Sequence, residues 1–94
     1  ADCVYIPCPP SFEDLKTICS SVSVPVNALV VGQMTKHKRD EFANAGVARL
    51  SLGSAIARAT HKVIFDAATA MFQDGDFSAL GNVISGSEVD KLLT

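Results

Sequence analysis

The segment VNALVV, residues Val26–Val31, is a short and almost uninterrupted apolar run. Similar runs occupy Cys3–Pro7 and Arg49–Gly53, and their starts at positions 3, 26 and 49 are evenly spaced. Runs of this length and composition are typical of parallel strands that are covered on both faces. The sequence therefore predicts three parallel strands, separated by intervals that are long enough to hold a helix.

Helix signals fill those intervals. Ser11 and Asp14 have the spacing of a helix cap, and apolar residues follow them at helical spacing. A second helix is expected from Thr35 through Ala45, and the longest from Ala55 to about Asp74. In the tail, Ser87 and Asp90 predict the cap of one more short helix.

This order of elements predicts an α/β fold of three consecutive parallel βα units followed by a short C-terminal helix. A complete TIM (βα)₈ barrel needs about 250 residues, so 94 residues supply about three of its eight units. We expect residues 1–80 to form a partial βα barrel and residues 81–94 to form a C-terminal tail.

One face of such a sheet would carry the helices and leave the other face without a cover. Alternation along the strands assigns five apolar residues to the uncovered face: Val4, Ile6, Val26, Ala28 and Val30. An apolar face of that size is more than soluble monomers usually expose. The chain is therefore expected to self-associate or to be part of a larger structure.

The composition of the chain argues against several classes of function. Hydrophobic residues make up 48% of the chain, as in a folded domain, and the net charge of -2 disfavours nucleic-acid binding. The apolar runs are shorter than the roughly 20 residues that cross a membrane. Cys3, Cys8 and Cys19 fit no common metal-site spacing, and we interpret them as small buried hydrophobes of a cytoplasmic, reducing setting.

In βα barrels the active site lies at the carboxyl ends of the strands. Gly53 and Ser54 follow the third strand and open the longest helix, where free backbone N–H groups can receive an anion. The alternative is a tight turn with a serine cap. The basic run Lys36–Arg39 is interpreted as a solvated face.

Four stretches resemble the C-terminal part of the isocitrate lyase and phosphoenolpyruvate mutase superfamily. They are ADCVYIP at Ala1–Pro7, VPVN at Val24–Asn27, AGVARLSLGSA at Ala45–Ala55 and GDFSAL at Gly75–Leu80. By this resemblance the three strands correspond to the sixth, seventh and eighth of the barrel. It implies cleavage or formation of a C–C or C–P bond next to a carboxylate, through an enolate held on Mg²⁺.

The resemblance also suggests site residues. Asn27 lies near an asparagine with which some relatives bind a small carboxylate substrate, although a buried, hydrogen-bonded asparagine is the alternative. Cys8 lies where lyases of the group often have a substrate-facing glutamate, and a thiol lacks that charge. The metal and catalytic residues of the family belong to earlier strands, so this chain is expected to bind no Mg²⁺ and to be inactive alone.

Relatives in this superfamily commonly pack their last helices against a neighbouring subunit, which implies a homo-oligomer. A different class of function also remains open. The chain could be a small non-enzymatic α/β module that self-associates, or binds a protein partner, through its open sheet.

Overall fold

The computed structural model describes all residues from 1 to 94. Three strands alternate with three α-helices, and a fourth α-helix follows: β1 Val4–Ile6, α1 Phe12–Ser21, β2 Val26–Leu29, α2 Arg39–Asn44, β3 Arg49–Ser51, α3 Ala55–Thr69 and α4 Gly86–Leu93. Two 3₁₀ turns, at Gly32–Lys36 and Ser78–Gly81, and a π-helical turn at Ala70–Asp74 complete the regular structure. None of the helices combines the length and the hydropathy that a membrane span requires.

The three strands form one parallel sheet in the order β1-β2-β3. Tyr5 lies beside Asn27, and Asn27 lies beside Arg49, so these three residues share one row across the sheet. The predicted fold class, three parallel βα units and a C-terminal helix, is confirmed. The chain divides into two compact units, Ala1–Ala57 and Arg58–Thr94. The expected division at residue 80 stays a prediction.

The core of the first unit lies between the sheet and its helices. Its buried residues come from α1, β2, the 3₁₀ turn and α2: Leu15, Val26, Ala28, Met34 and Phe42. Val4, Ile6 and Val30 pack against this cluster. The expectation that these strand residues form the uncovered face was therefore wrong, because the helices cover them.

The opposite face of the sheet is more polar than expected. Neighbouring side chains on a strand point to opposite faces, so the face away from the core carries Tyr5, Asn27, Leu29, Arg49 and Ser51. Tyr5 is 53% exposed on that face.

The first helix begins where the sequence predicts. Ser11 Oγ accepts a hydrogen bond from the Asp14 backbone N–H at 3.1 Å, which caps α1. The second helix begins later than expected: Thr35 lies in the 3₁₀ turn, and α2 is capped at Lys38, whose N–H donates to the Glu41 carboxylate at 2.6 Å. A 3₁₀ turn and the short helix α2 thus replace the one predicted helix.

The second unit differs from prediction in the cap of its last helix. Ser85, not Ser87, caps α4, since Ser85 Oγ accepts from the Glu88 N–H and the Glu88 carboxylate accepts from the Ser85 N–H. The end of the long helical segment agrees with expectation, because Gly75 follows Asp74 in the left-handed conformation that glycine favours.

The cysteines are less buried than expected. Cys3 and Cys8 are exposed, and Cys19 is half-buried; all three are free thiols. Burial raises the pKa of the Cys19 thiol. The interpretation of Cys3 and Cys8 as buried hydrophobes was therefore wrong.

Candidate functional site

A cavity of about 280 Å³ lies at the carboxyl ends of β1 and β2. Its lining consists of the loop after β1, the last residue of β2 and the turn that follows: Pro7, Cys8, Pro9, Pro10, Leu29, Val31, Gly32, Gln33 and Met34. This is the edge of a parallel sheet at which ligands bind in α/β folds. The cavity therefore lies at the end of the sheet where a βα barrel holds its active site.

Two polar side chains line this cavity. Cys8 is exposed and belongs to the wall formed by the loop after β1, and its contact with substrate stays a prediction. Gln33 was not singled out from the sequence, although it follows β2 by a few residues and the carboxyl end of a strand is the expected place for such a group. Cavity walls are otherwise apolar.

Asn27 lies within β2, two residues before the cavity-lining Leu29, and is only 3% exposed. Its Nδ2 donates a hydrogen bond to Ser51 Oγ, in β3, at 2.8 Å. Its Oδ1 is buried and has no hydrogen-bond partner. Since few buried polar atoms in folded proteins lack a partner, this oxygen points to an interaction that the chain itself does not supply.

Gly53 and Ser54 form the turn between β3 and α3, and both are exposed. Gly53 has a φ of +53°, and a Cβ there would approach Leu29 Cδ1 to 3.3 Å. The turn therefore lies against a residue of the cavity wall, although neither Gly53 nor Ser54 lines the cavity itself. Their binding roles stay predictions.

The basic run is used for local structure. The His37 ring stacks on Phe12 with 4.0 Å between the ring centroids, and His37 Nδ1 lies 3.1 Å from Glu41 Oε1. The Lys38 N–H and the His37 ring together lower the pKa of the Glu41 carboxyl. These contacts fit a surface segment that ties α1 to α2 and give no sign of a ligand site.

The Mg²⁺ ion that the resemblance implies needs several carboxylate or carbonyl ligands. Nowhere in the structure do three or more His, Cys, Asp or Glu side chains come together in a way that could hold a metal ion. The residues of this chain therefore do not fit a Mg²⁺ site.

Comparison with known proteins identifies the family. The sequence model of the family described as phosphoenolpyruvate phosphomutase matches residues 1–72. The crystal structure of a candidate lyase/mutase from Burkholderia cenocepacia J2315 is similar to this chain, with 31% sequence identity and a TM-score of 0.89. The match covers 99% of this chain and 34% of the Burkholderia protein, so the chain spans about a third of that length. No curated protein matches the chain.

The family match covers most of the chain, and the structural similarity extends over nearly all of it. Both agree with the resemblance carried by the strand and turn motifs, and with the three parallel βα units. The chain therefore belongs to the isocitrate lyase and phosphoenolpyruvate mutase superfamily.

Proposed function

We propose that this chain forms the substrate-side wall, at the last three strands, of a superfamily lyase or mutase that acts on a small carboxylate. The observation that carries the proposal is the cavity at the carboxyl ends of β1 and β2 in a chain of this family. The reaction proposed for the whole enzyme is cleavage or formation of a C–C or C–P bond through an enolate.

Within this proposal, the role of the chain is to bind and orient substrate. Cys8 and Gln33 offer polar contacts on a mostly apolar wall, and the turn at Gly53 and Ser54 offers backbone N–H groups beside it. Mg²⁺, which would stabilise the enolate when bound, requires ligands from outside this chain. The chain alone should then show no turnover of malate, a 2-hydroxy dicarboxylate, with Mg²⁺ present.

A binding experiment tests the site directly. We expect malate to bind the 94-residue chain in isothermal titration calorimetry, and Cys8→Phe, which fills the cavity, to weaken that binding about tenfold or more. Cys3→Phe is the matched control, because Cys3 is also exposed but lies outside the cavity. Absence of malate binding, or equal binding by the Cys8→Phe variant, would contradict the proposal.

Self-association is the second candidate function, and a specific observation favours it. The second unit exposes many large apolar side chains: Val63, Ile64, Phe65, Phe72, Phe77, Leu80, Val83, Ile84, Leu92 and Leu93. Phe72 alone is 90% exposed. Large apolar side chains exposed in such number are typical of interaction sites. We propose that this surface joins copies of the protein into a homo-oligomer, in a reducing, cytoplasmic setting.

A further inference from the structure

Two segments of the chain supply most of the cavity lining, and they differ in stiffness. The first wall consists of residues 7–10, three of which are prolines whose rings fix the backbone φ angle. The second wall consists of residues 32–34, at the start of the 3₁₀ turn Gly32–Lys36. Gly32 has a φ of +55°, and a Cβ at its position would meet no atom within 4 Å. The second wall can therefore pivot at Gly32, whereas the first wall is stiff.

Each wall leads directly into an aromatic ring. Phe12 follows the first wall at the first position of α1, and His37 follows the second wall after the 3₁₀ turn. The two rings stack, with 4.0 Å between their centroids and 21° between their planes. The His37 N–H also donates a hydrogen bond to the Met34 carbonyl at 3.2 Å, which ties His37 to the second wall. The stack therefore connects the two walls of the cavity.

The two rings are not anchored equally. Phe12 packs against the buried core cluster, and the buried Phe42 meets it edge-on, with 5.4 Å between the ring centroids. The His37 side chain is 28% exposed. Apart from the stack, His37 is held by the edge of Phe42 and by Glu41, whose Oε1 lies 3.1 Å from His37 Nδ1. His37 is therefore the partner that can move away from the stack.

Met34 also ties the second wall to the protein, because its side chain is buried in the core. A methionine side chain has three rotatable bonds and adapts to small shifts of its surroundings. The backbone of the second wall can thus move while the Met34 side chain stays buried. The stack of His37 on Phe12 is then the contact that fixes this wall relative to the first.

We propose that Phe12 and His37 form a clasp between the two walls and set how far the cavity opens. With the rings stacked, the second wall is held in place and the cavity has its volume of about 280 Å³. When the stack separates, the turn pivots at Gly32 and the second wall moves away from the first. Loss of one aromatic contact of this kind raises the population of the open state about 2- to 10-fold.

NMR relaxation dispersion detects exchange between conformations on the microsecond-to-millisecond timescale and tests the clasp without a ligand. His37→Gln removes the ring but keeps a polar side chain. It should raise the open population seen at the Gln33 and Met34 amides about 2- to 10-fold. His37→Phe keeps a ring that can stack on Phe12 and should match the unchanged chain. His61→Gln, at an exposed histidine of α3, is the matched control and should also match it.

A double variant shows whether the two rings act as one unit. Phe12→Leu should open the second wall as His37→Gln does. The two changes together should open it no further than the more effective single change, since either one already removes the stack. Additive effects of the two changes would overturn the clasp, and so would second-wall amides that stay unchanged in His37→Gln.

The Ala48 N–H separates opening of the cavity from unfolding of the chain. It donates to the Val26 carbonyl between two strands of the sheet and should show no such exchange in any variant. The same exchange at Ala48 as at Met34 would indicate global unfolding and would contradict a local clasp. Because the experiment uses no ligand, its result is independent of the malate titration.

Discussion

At the scale of single residues, close packing between helix and turn makes one glycine indispensable. Gly46 follows α2 with a φ of +95°, and a Cβ there would lie 3.2 Å from the Cβ of Cys19 in α1. Gly32 also has a positive φ, of +55°, but a Cβ at this position would meet no atom within 4 Å. An added Cβ would therefore cause backbone strain at both positions, but steric crowding only at Gly46.

Gly46→Ala is expected to lower the free energy of unfolding by about 2 to 4 kcal/mol, because strain and overpacking act together. Gly32→Ala carries the strain alone and should cost about 1 to 2 kcal/mol. Urea unfolding, followed by circular dichroism, measures the free energy of unfolding of both variants. Equal losses for the two variants would show that contact with Cys19 is not important.

The pH dependence of stability tests another residue, Glu41. Its folded pKa lies below the ordinary value of 4.5, so its contribution to stability is present above that value and is lost as the pH falls through the folded pKa. The unchanged chain should be more stable than Glu41→Gln near neutral pH, and this advantage should disappear in acid. Thermal unfolding of the two proteins at several pH values measures this difference in stability. A higher stability of the unchanged chain that persists at the lowest pH would contradict the role of Glu41.

At the scale of secondary-structure elements, caps decide where helices begin. Ser85 and Ser87 each have an acidic residue three positions later, so the sequence offers two capping registers, of which the structure uses Ser85 with Glu88. Ser85→Ala should destabilise α4 by about 1 kcal/mol, and Ser87→Ala should have a smaller effect. Amide hydrogen exchange of the first turn of α4 measures the difference. Faster exchange only in the Ser87→Ala variant would reverse the assignment.

Element positions were largely predictable from sequence, whereas the direction of side chains was not. Evenly spaced apolar runs gave the three strands, and the Ser11 cap gave the start of α1. In a strand where apolar residues follow one another, alternation carries little information, so the faces of β1 and β2 were assigned the wrong way round. Helix α2 was misplaced because the cap at Lys38 uses a backbone N–H and the Glu41 side chain, a contact without a typical capping residue.

The candidate site was predictable in place but not in detail. The rule that ligands bind at the carboxyl ends of parallel strands led to the region of Cys8, which lines the cavity. The hydrogen bond between Asn27 and Ser51 could not be predicted from the sequence. Such pairings between strands depend on register, which a single sequence does not specify.

At the scale of the whole molecule, the exposed apolar surface of the second unit predicts association. Removal of residues 87–94 deletes most of α4, including the exposed Leu92 and Leu93. We expect this truncation to weaken the oligomer and to leave the core around Leu15 and Phe42 intact. Sedimentation velocity and circular dichroism test the two parts. A monomeric unchanged chain, or an oligomer that does not weaken, would contradict the proposed interface.

The central claim is that the chain forms a carboxylate-binding wall at the carboxyl ends of its strands. The most direct test is a titration of the ¹⁵N-labelled chain with malate, followed by backbone amide chemical shifts. We expect saturable shifts concentrated at Cys8, Gln33 and Ser54, with small changes in α4. No saturable shifts, or shifts confined to α4, would contradict it.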